Sequence, residues 1–172
     1  MTITLSGSIT VTSDWDYQQT DSIGNAARDN NAYRYTKPLT NGTGANQANF
    51  KYADRRTVNA PTSIDDIDLY GLLTDVFGRT LNPVVIKELL IVNLSPTSGQ
   101  NLLVGNAAVN PVSSFFNGDG TVEVPVHAGG CLLFSSPVVG YAITSGSADV
   151  LRVAHAGSTG AISFDIIIKG TV

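Results

Sequence analysis

Cysteine, histidine and charge are all scarce in this 172-residue chain, which has one Cys, two His and only 14% charged residues. A single cysteine excludes an internal disulfide. Cys131 sits among the apolar residues of GGCLLF with no cation close in sequence, so it reads as a buried thiol used as a small hydrophobe. The formal net charge is -4, and the only basic cluster is Arg55-Arg56 beside Asp54. Nucleic-acid binding would need a basic face, so that class is excluded, and the pair reads as a salt-bridged strand end. No basic segment leads into an apolar run at the N-terminus, and no apolar stretch approaches the ~18 residues that span a bilayer. The expectation is a soluble protein made in a cytosol, with neither nucleic acid nor membrane as partner.

The missing histidines and cysteines also narrow the chemistry. His127 and His155 stand alone, without the HxH or HxxxH spacing of a metal site. Asp65, Asp66 and Asp68 lack the spacing of a calcium loop and read as a solvated strand face. Asn41-Gly42-Thr43-Gly44 is a turn rather than a phosphate loop, because neither a GKT nor a helix follows it. Neither histidine stands in a recognisable arrangement with a serine elbow or with Cys131. No catalytic, cofactor-binding or metal-ligating residue is assigned, and the chain is read as a non-enzyme.

What is present is β-forming. The chain has 17 Gly and abundant Thr, Ser and Asn, while strong helix formers are few at positions that should be surface. The class expected is all-β, in one domain able to bury about 70% of its unfolded surface. The longest strand candidate covers 84–92, entered through Asn82-Pro83 and interrupted only by Lys87-Glu88. It is expected to be central. The segment before it, IDDIDLYGLLTDVFG, reads as a strand and then a corner, with room for a single helical turn at 72–77 and with Thr74-Asp75 offering a side-chain cap for the corner.

Alternation of Ile3, Leu5, Ile9 and Val11 predicts a half-buried strand at the start. The stretch 14–43 is polar and reads as an arm or long loop, with a short strand over 32–35. Trp15, Tyr17, Tyr33 and Tyr35 give it an aromatic content foreign to disordered tails. Two readings stand side by side: ordering against a partner or sister subunit, or an Ω-like loop on its own domain. Asn46, Gln47 and Asn49 form an amide run that suits either another chain's backbone or its own loop. Further strands are expected at 102–104, 121–127, 131–136, 138–144, 149–154 and 162–169, with Pro125 marking an edge. Asp149 is expected to pair with Arg152 or cap a turn. Turns at this rhythm suit a sandwich or barrel. The chain thus divides into an N-terminal strand and extended arm, 1–41, and a β-sandwich domain, 42–172.

The stretches GTGANQANFKYADRRTV, IDLYGLLTDVFGRTL, VIKELLIVN, LLVGNAAVN, VPVHAGGCLLFSSP, YAITSGSADVLRVAHAG and FDIIIKG together resemble a family of small structural proteins of tailed bacteriophages. The resemblance covers 42–170. It implies a jelly-roll-like β-sandwich in a virion, in the role of a capsid cement or decoration protein, often a homotrimer. The implied partners are the major capsid protein and further copies of the chain, and the implied place is the capsid exterior. The alternative is a tail or head-fibre module that recognises host glycan or protein. Candidate capsid or subunit contacts are Trp15, Tyr17, Tyr33, Tyr35, Asn46, Gln47 and Asn49.

Overall fold

The computed structural model describes residues 4–20, 22–24, 26–59, 61–157 and 159–172. Over these residues the chain is all-β, without an α-helix. In chain order the strands are β1 (Gly7–Thr20), β2 (Ala26–Asn41), β3 (Gln47–Ala48), β4 (Phe50–Val58), β5 (Ile64–Asp68), β6 (Val85–Asn93), β7 (Leu102–Gly105), β8 (Glu123–Val126), β9 (Cys131–Ser135), β10 (Tyr141–Ala142), β11 (Val150–His155) and β12 (Ile162–Thr171). A 3-10 turn, Ser114–Phe116, carries Phe115 and Phe116 into the core.

The strands fall into three sheets. In the first large sheet the order is β4-β12-β6, with β9 and β10 both on the far edge of β6; in the second it is β5-β11-β7-β8. Ile86, Leu89 and Ile91 of β6 and Phe164 and Ile166 of β12 enter one buried cluster with Leu102, Val104, Leu151 and Val153 of the other sheet. Each such side chain contributes about 1.5–3 kcal/mol on leaving water. The expectation for 84–92 holds, because β6 lies between β12 and the β9–β10 edge. Pro125 likewise lies on an edge strand, β8.

The Lys87-Glu88 interruption is a β-bulge. Lys169 pairs with Glu88 and Gly170 with Ile86, so Lys87 has no opposite residue on β12. Its buried ammonium donates to the Val138 and Val139 carbonyls at 3.0 and 3.1 Å, and burial pushes its pKa below the ordinary lysine value. The edge strand breaks at the same place, between β9 and β10, where Gly140 adopts a positive φ of 83°. A Cβ there would stand 2.9 Å from the Ile86 carbonyl oxygen, so only glycine fits.

Between β5 and β6 the chain changes sheet, as the corner reading expected, but the helical turn at 72–77 does not form. Residues 71–81 instead make a narrow finger: Gly71 donates to Leu81, Leu81 to Leu73, and Thr74 bridges Thr80. The cause is local. The Asp75 carboxylate accepts the amides of Phe77 and Arg79 at 2.9 and 3.0 Å and so fixes a tight tip, as its capping role predicted. Leu73 and Leu81 are buried, whereas Leu72, Val76 and Phe77 point outward.

Three other expectations need correction. Cys131 is exposed: it opens the edge strand β9, where apolar neighbours do not guarantee cover. The segment 14–43 is not an irregular arm, because β1 and β2 pair residue for residue from Gly7–Leu39 to Thr20–Ala26. Of the half-buried start, Ile9 is buried and Val11 is exposed, and Ile3 lies outside the described residues. The salt-bridged strand end expected at Arg55-Arg56 does form, with Arg56 also 3.5 Å from Asp54, but its principal partners are distant in sequence. Arg55 pairs with Asp165, Arg56 with Asp65 and Arg152 with Asp66, while Asp149 caps the turn at Gly146. Asp65 and Asp66 are therefore paired rather than merely solvated.

Candidate functional site

Strand alternation decides what the β1–β2 hairpin presents. Register places Val11 opposite Tyr35, Ser13 opposite Tyr33, Trp15 opposite Asn31 and Tyr17 opposite Asp29. Side chains opposite one another share a face. Val11, Trp15, Tyr17, Tyr33 and Tyr35 therefore form one stripe, with Trp15 Nε1 donating to Asp29 at 3.1 Å. All five are exposed, Tyr17 at 70%. The opposite face is polar: Thr10 meets Thr36, and Arg28 makes a two-pronged bond to Asp16 at 2.8 and 2.7 Å. That guanidinium holds the Asp16 carboxyl below its ordinary pKa.

The stem is about 45 Å long at the usual rise per residue. Its root is fixed to the body, and among the described residues the side-chain bonds farther out run within the hairpin. Ile9, Leu39 and Ala48 form a small buried cluster with Leu5 against it. Thr40 and Asn41 pair in parallel with β3, and Lys169 Nζ donates to the Ser8 carbonyl at 3.0 Å and to Glu88 at 2.8 Å.

The seven residues singled out in the sequence thus separate into two groups. The four aromatics are brought together on one face of the hairpin. The three amides lie at its root and bond within their own chain. Gln47 Oε1 accepts from Gly44 N at 2.8 Å, and Asn49 exchanges hydrogen bonds with Val172 at 3.2 and 2.9 Å. The Asn46 main-chain N–H donates to the Pro137 carbonyl at 2.8 Å, while its buried side-chain Oδ1 has no partner among the described residues.

A second feature escaped the sequence reading. Strand β4 ends its sheet, and along its free edge runs a groove of about 720 Å³. Consecutive residues of both parities, Phe50 to Asp54, line it, so the groove meets the strand's edge rather than one face. Its other wall is the 71–81 finger with Leu72, Val76 and Phe77, and Thr4 and Leu5, ahead of β1, line it as well. The signal lay in IDLYGLLTDVFGRTL, where apolar residues on a tight turn cannot all turn inward.

Chemically the surfaces are suited to contact. Among the described residues no group of three or more His, Cys, Asp and Glu could hold a metal ion. His127 is exposed, and His155 is buried with Nδ1 accepting from Gly157 N at 3.0 Å and Nε2 meeting the Gly160 carbonyl at 2.8 Å, a structural clamp on that loop.

The finger carries a pH dependence. Burial alone would raise the Asp75 pKa, but the Arg79 and Phe77 amides and the Arg79 guanidinium together hold it below its ordinary 3.8. A depressed folded pKa means that stability is present above the unfolded value and is lost as pH falls through the folded one. Urea midpoints measured from about pH 5 to about pH 2 should therefore fall, and Asp75→Asn should flatten that acid limb while lowering stability at neutral pH by about 1–3 kcal/mol. An unchanged acid limb in the variant would remove Asp75 as a contributor.

No protein-family model matches the chain, and no curated protein matches it in sequence.

Proposed function

We propose that the chain is a structural protein of a tailed-bacteriophage virion, a cement protein that clamps neighbouring major capsid protein subunits on the capsid exterior and acts as a homo-oligomer, in the first instance a trimer. One observation carries this reading: a long hairpin, rooted in an all-β body, holds out a stripe of four aromatic residues that its own chain leaves uncovered. Isolated two-stranded hairpins are marginal in water, so an uncovered one of this length gains most from a partner surface. Strand order supports the jelly-roll reading. The orders β4-β12-β6-β9 and β5-β11-β7-β8 arise when eight strands alternate between two sheets as interlocking Greek keys, with both inner faces in one core. The resemblance over 42–170 points the same way. A clamp of this kind works by repetition, since symmetry multiplies each weak contact around an axis.

The aromatic stripe also suits sugar stacking, which favours a fibre module recognising host glycan as the second reading. Copy number separates the two. Quantitative mass spectrometry of purified virions should give hundreds of copies in fixed ratio to the major capsid protein. A handful would move the chain to a tail or vertex fibre, and none would overturn a virion role.

A further inference from the structure

The geometry points to a specific contact between copies of this chain: the outer edge of β1 in one copy pairs with the free edge of β4 in the next, laying the aromatic stripe against the finger at Leu72, Val76 and Phe77. This deepens the proposed clamp and rests on it for its purpose, though the contact itself is argued from the chain alone.

Both edges are open. Strand β1 ends the β1-β2-β3 sheet and β4 ends its own, and among the described residues neither has a strand on its outer side. Open edges with unpaired amides and carbonyls are templates for strand addition. Among the described residues, the one bond to the outer edge of β1 is that of Lys169 to the Ser8 carbonyl, at the root. On β4 the outer side faces directly into the groove.

The two edges differ in charge. Strand β1 carries Asp14 and Asp16 and no cation, whereas β4 carries Lys51, Arg55 and Arg56 with one acid, Asp54. Within the copy, Asp16 is bonded to Arg28, Arg55 to Asp165 and Arg56 to Asp65. Asp14 on β1 and Lys51 on β4 are left without ion-pair partners among the described residues. Opposite charges of this kind set the register and direction of an encounter.

The faces agree as well. Lys51 lies on the outer parity of β4, with Phe50 and Tyr52 buried on the inner one. On β1, Asp14 belongs to the polar face and Trp15 and Tyr17 to the aromatic face. Adding β1 to β4 so that Asp14 joins the Lys51 side turns the aromatic stripe inward, toward the apolar finger. Taking ~150–250 Å² per side chain, the stripe leaves roughly 550 Å² uncovered, and the finger residues help bring the contact toward the ~800 Å² each side of a standard interface provides. Groove and arm are different surfaces of one chain, so the contact is head-to-tail, and it forms a ring where the rotation between copies closes and a filament where it does not.

Sedimentation velocity on the full chain tests this without a virion, so its failure is distinct from failure of the cement role. The wild type should self-associate at micromolar concentration. Tyr17→Ser/Tyr33→Ser on the arm and Val76→Ser/Phe77→Ser on the finger should each weaken association about tenfold or more. Asp14→Lys and Lys51→Asp should each weaken it, and the double charge swap should restore it. All six positions are exposed, and an unchanged melting temperature verifies that each variant is folded. A wild type that stays monomeric overturns the proposal, as does a finger variant that associates like wild type or a charge swap without recovery.

Discussion

Replacing Lys169 with methionine is expected to cost about 3–5 kcal/mol, a fall of roughly 10 °C in Tm for a domain of this size. Lys169 and Glu88 face each other across β12 and β6 at 2.8 Å, with side chains only 16% and 8% exposed. Removing the cation leaves the Glu88 carboxylate buried without its counter-charge, which is the expensive half of breaking such a pair. The same ammonium holds the Ser8 carbonyl, so its loss also loosens the root of the hairpin. Adding Glu88→Leu to Lys169→Met should recover most of the loss, because two apolar groups have no stranded charge between them. Chemical denaturation of the wild type, the single and the double variants measures this. A loss under about 1 kcal/mol in Lys169→Met would mean that water screens the pair.

The second large effect contrasts two sets of aromatics. Phe164 is wholly buried on β12, and Phe164→Ala should cost about 3–5 kcal/mol through lost burial and the cavity left behind. Tyr17→Ser/Tyr33→Ser removes twice as many rings but should change the stability of the monomer by under about 1 kcal/mol, because both rings already stand in water. Urea unfolding at a concentration where copies are apart separates the two outcomes. A large loss in the tyrosine variant would show that the stripe packs on its own chain, which would remove the basis for a contact surface.

Legibility in the sequence followed burial. The strand at 84–92 was readable because β6 is covered on both sides, and its near-continuous apolar run has few other uses. The hairpin was not read, although its signal was present. Ile9, Val11, Trp15 and Tyr17 keep one parity, Gly24 marks the turn, and Tyr33, Tyr35 and Leu39 keep one parity on the return. Polar residues on the remaining positions hid this pattern, since a strand that faces water on both sides lacks the usual contrast. Aromatic content nevertheless located the candidate surface. Of the two readings open for the amides at 46, 47 and 49, Gln47 and Asn49 follow the self-bonding one: polar side chains in a turn find their own backbone at hand. Cys131 was assigned by its neighbours, but burial on an edge strand depends on what lies beside the strand. Of the groove only the apolar tip was signalled, by IDLYGLLTDVFGRTL, because its other wall, β4, comes from a different part of the chain.

The pairing of β4 with β12 has a consequence for biosynthesis. Arg55 and Asp165 are bonded across 110 residues of chain, so the first large sheet cannot close until the last strand has been made. At about 5–20 residues per second, the ribosome needs several seconds to deliver that strand after β4 emerges. The hairpin is complete from the outset and, as a local structure, forms in about 1–10 microseconds. Alone such a hairpin is marginal in water, so its aromatic stripe is held in place only once the body, and with it Lys169 at the root, is complete.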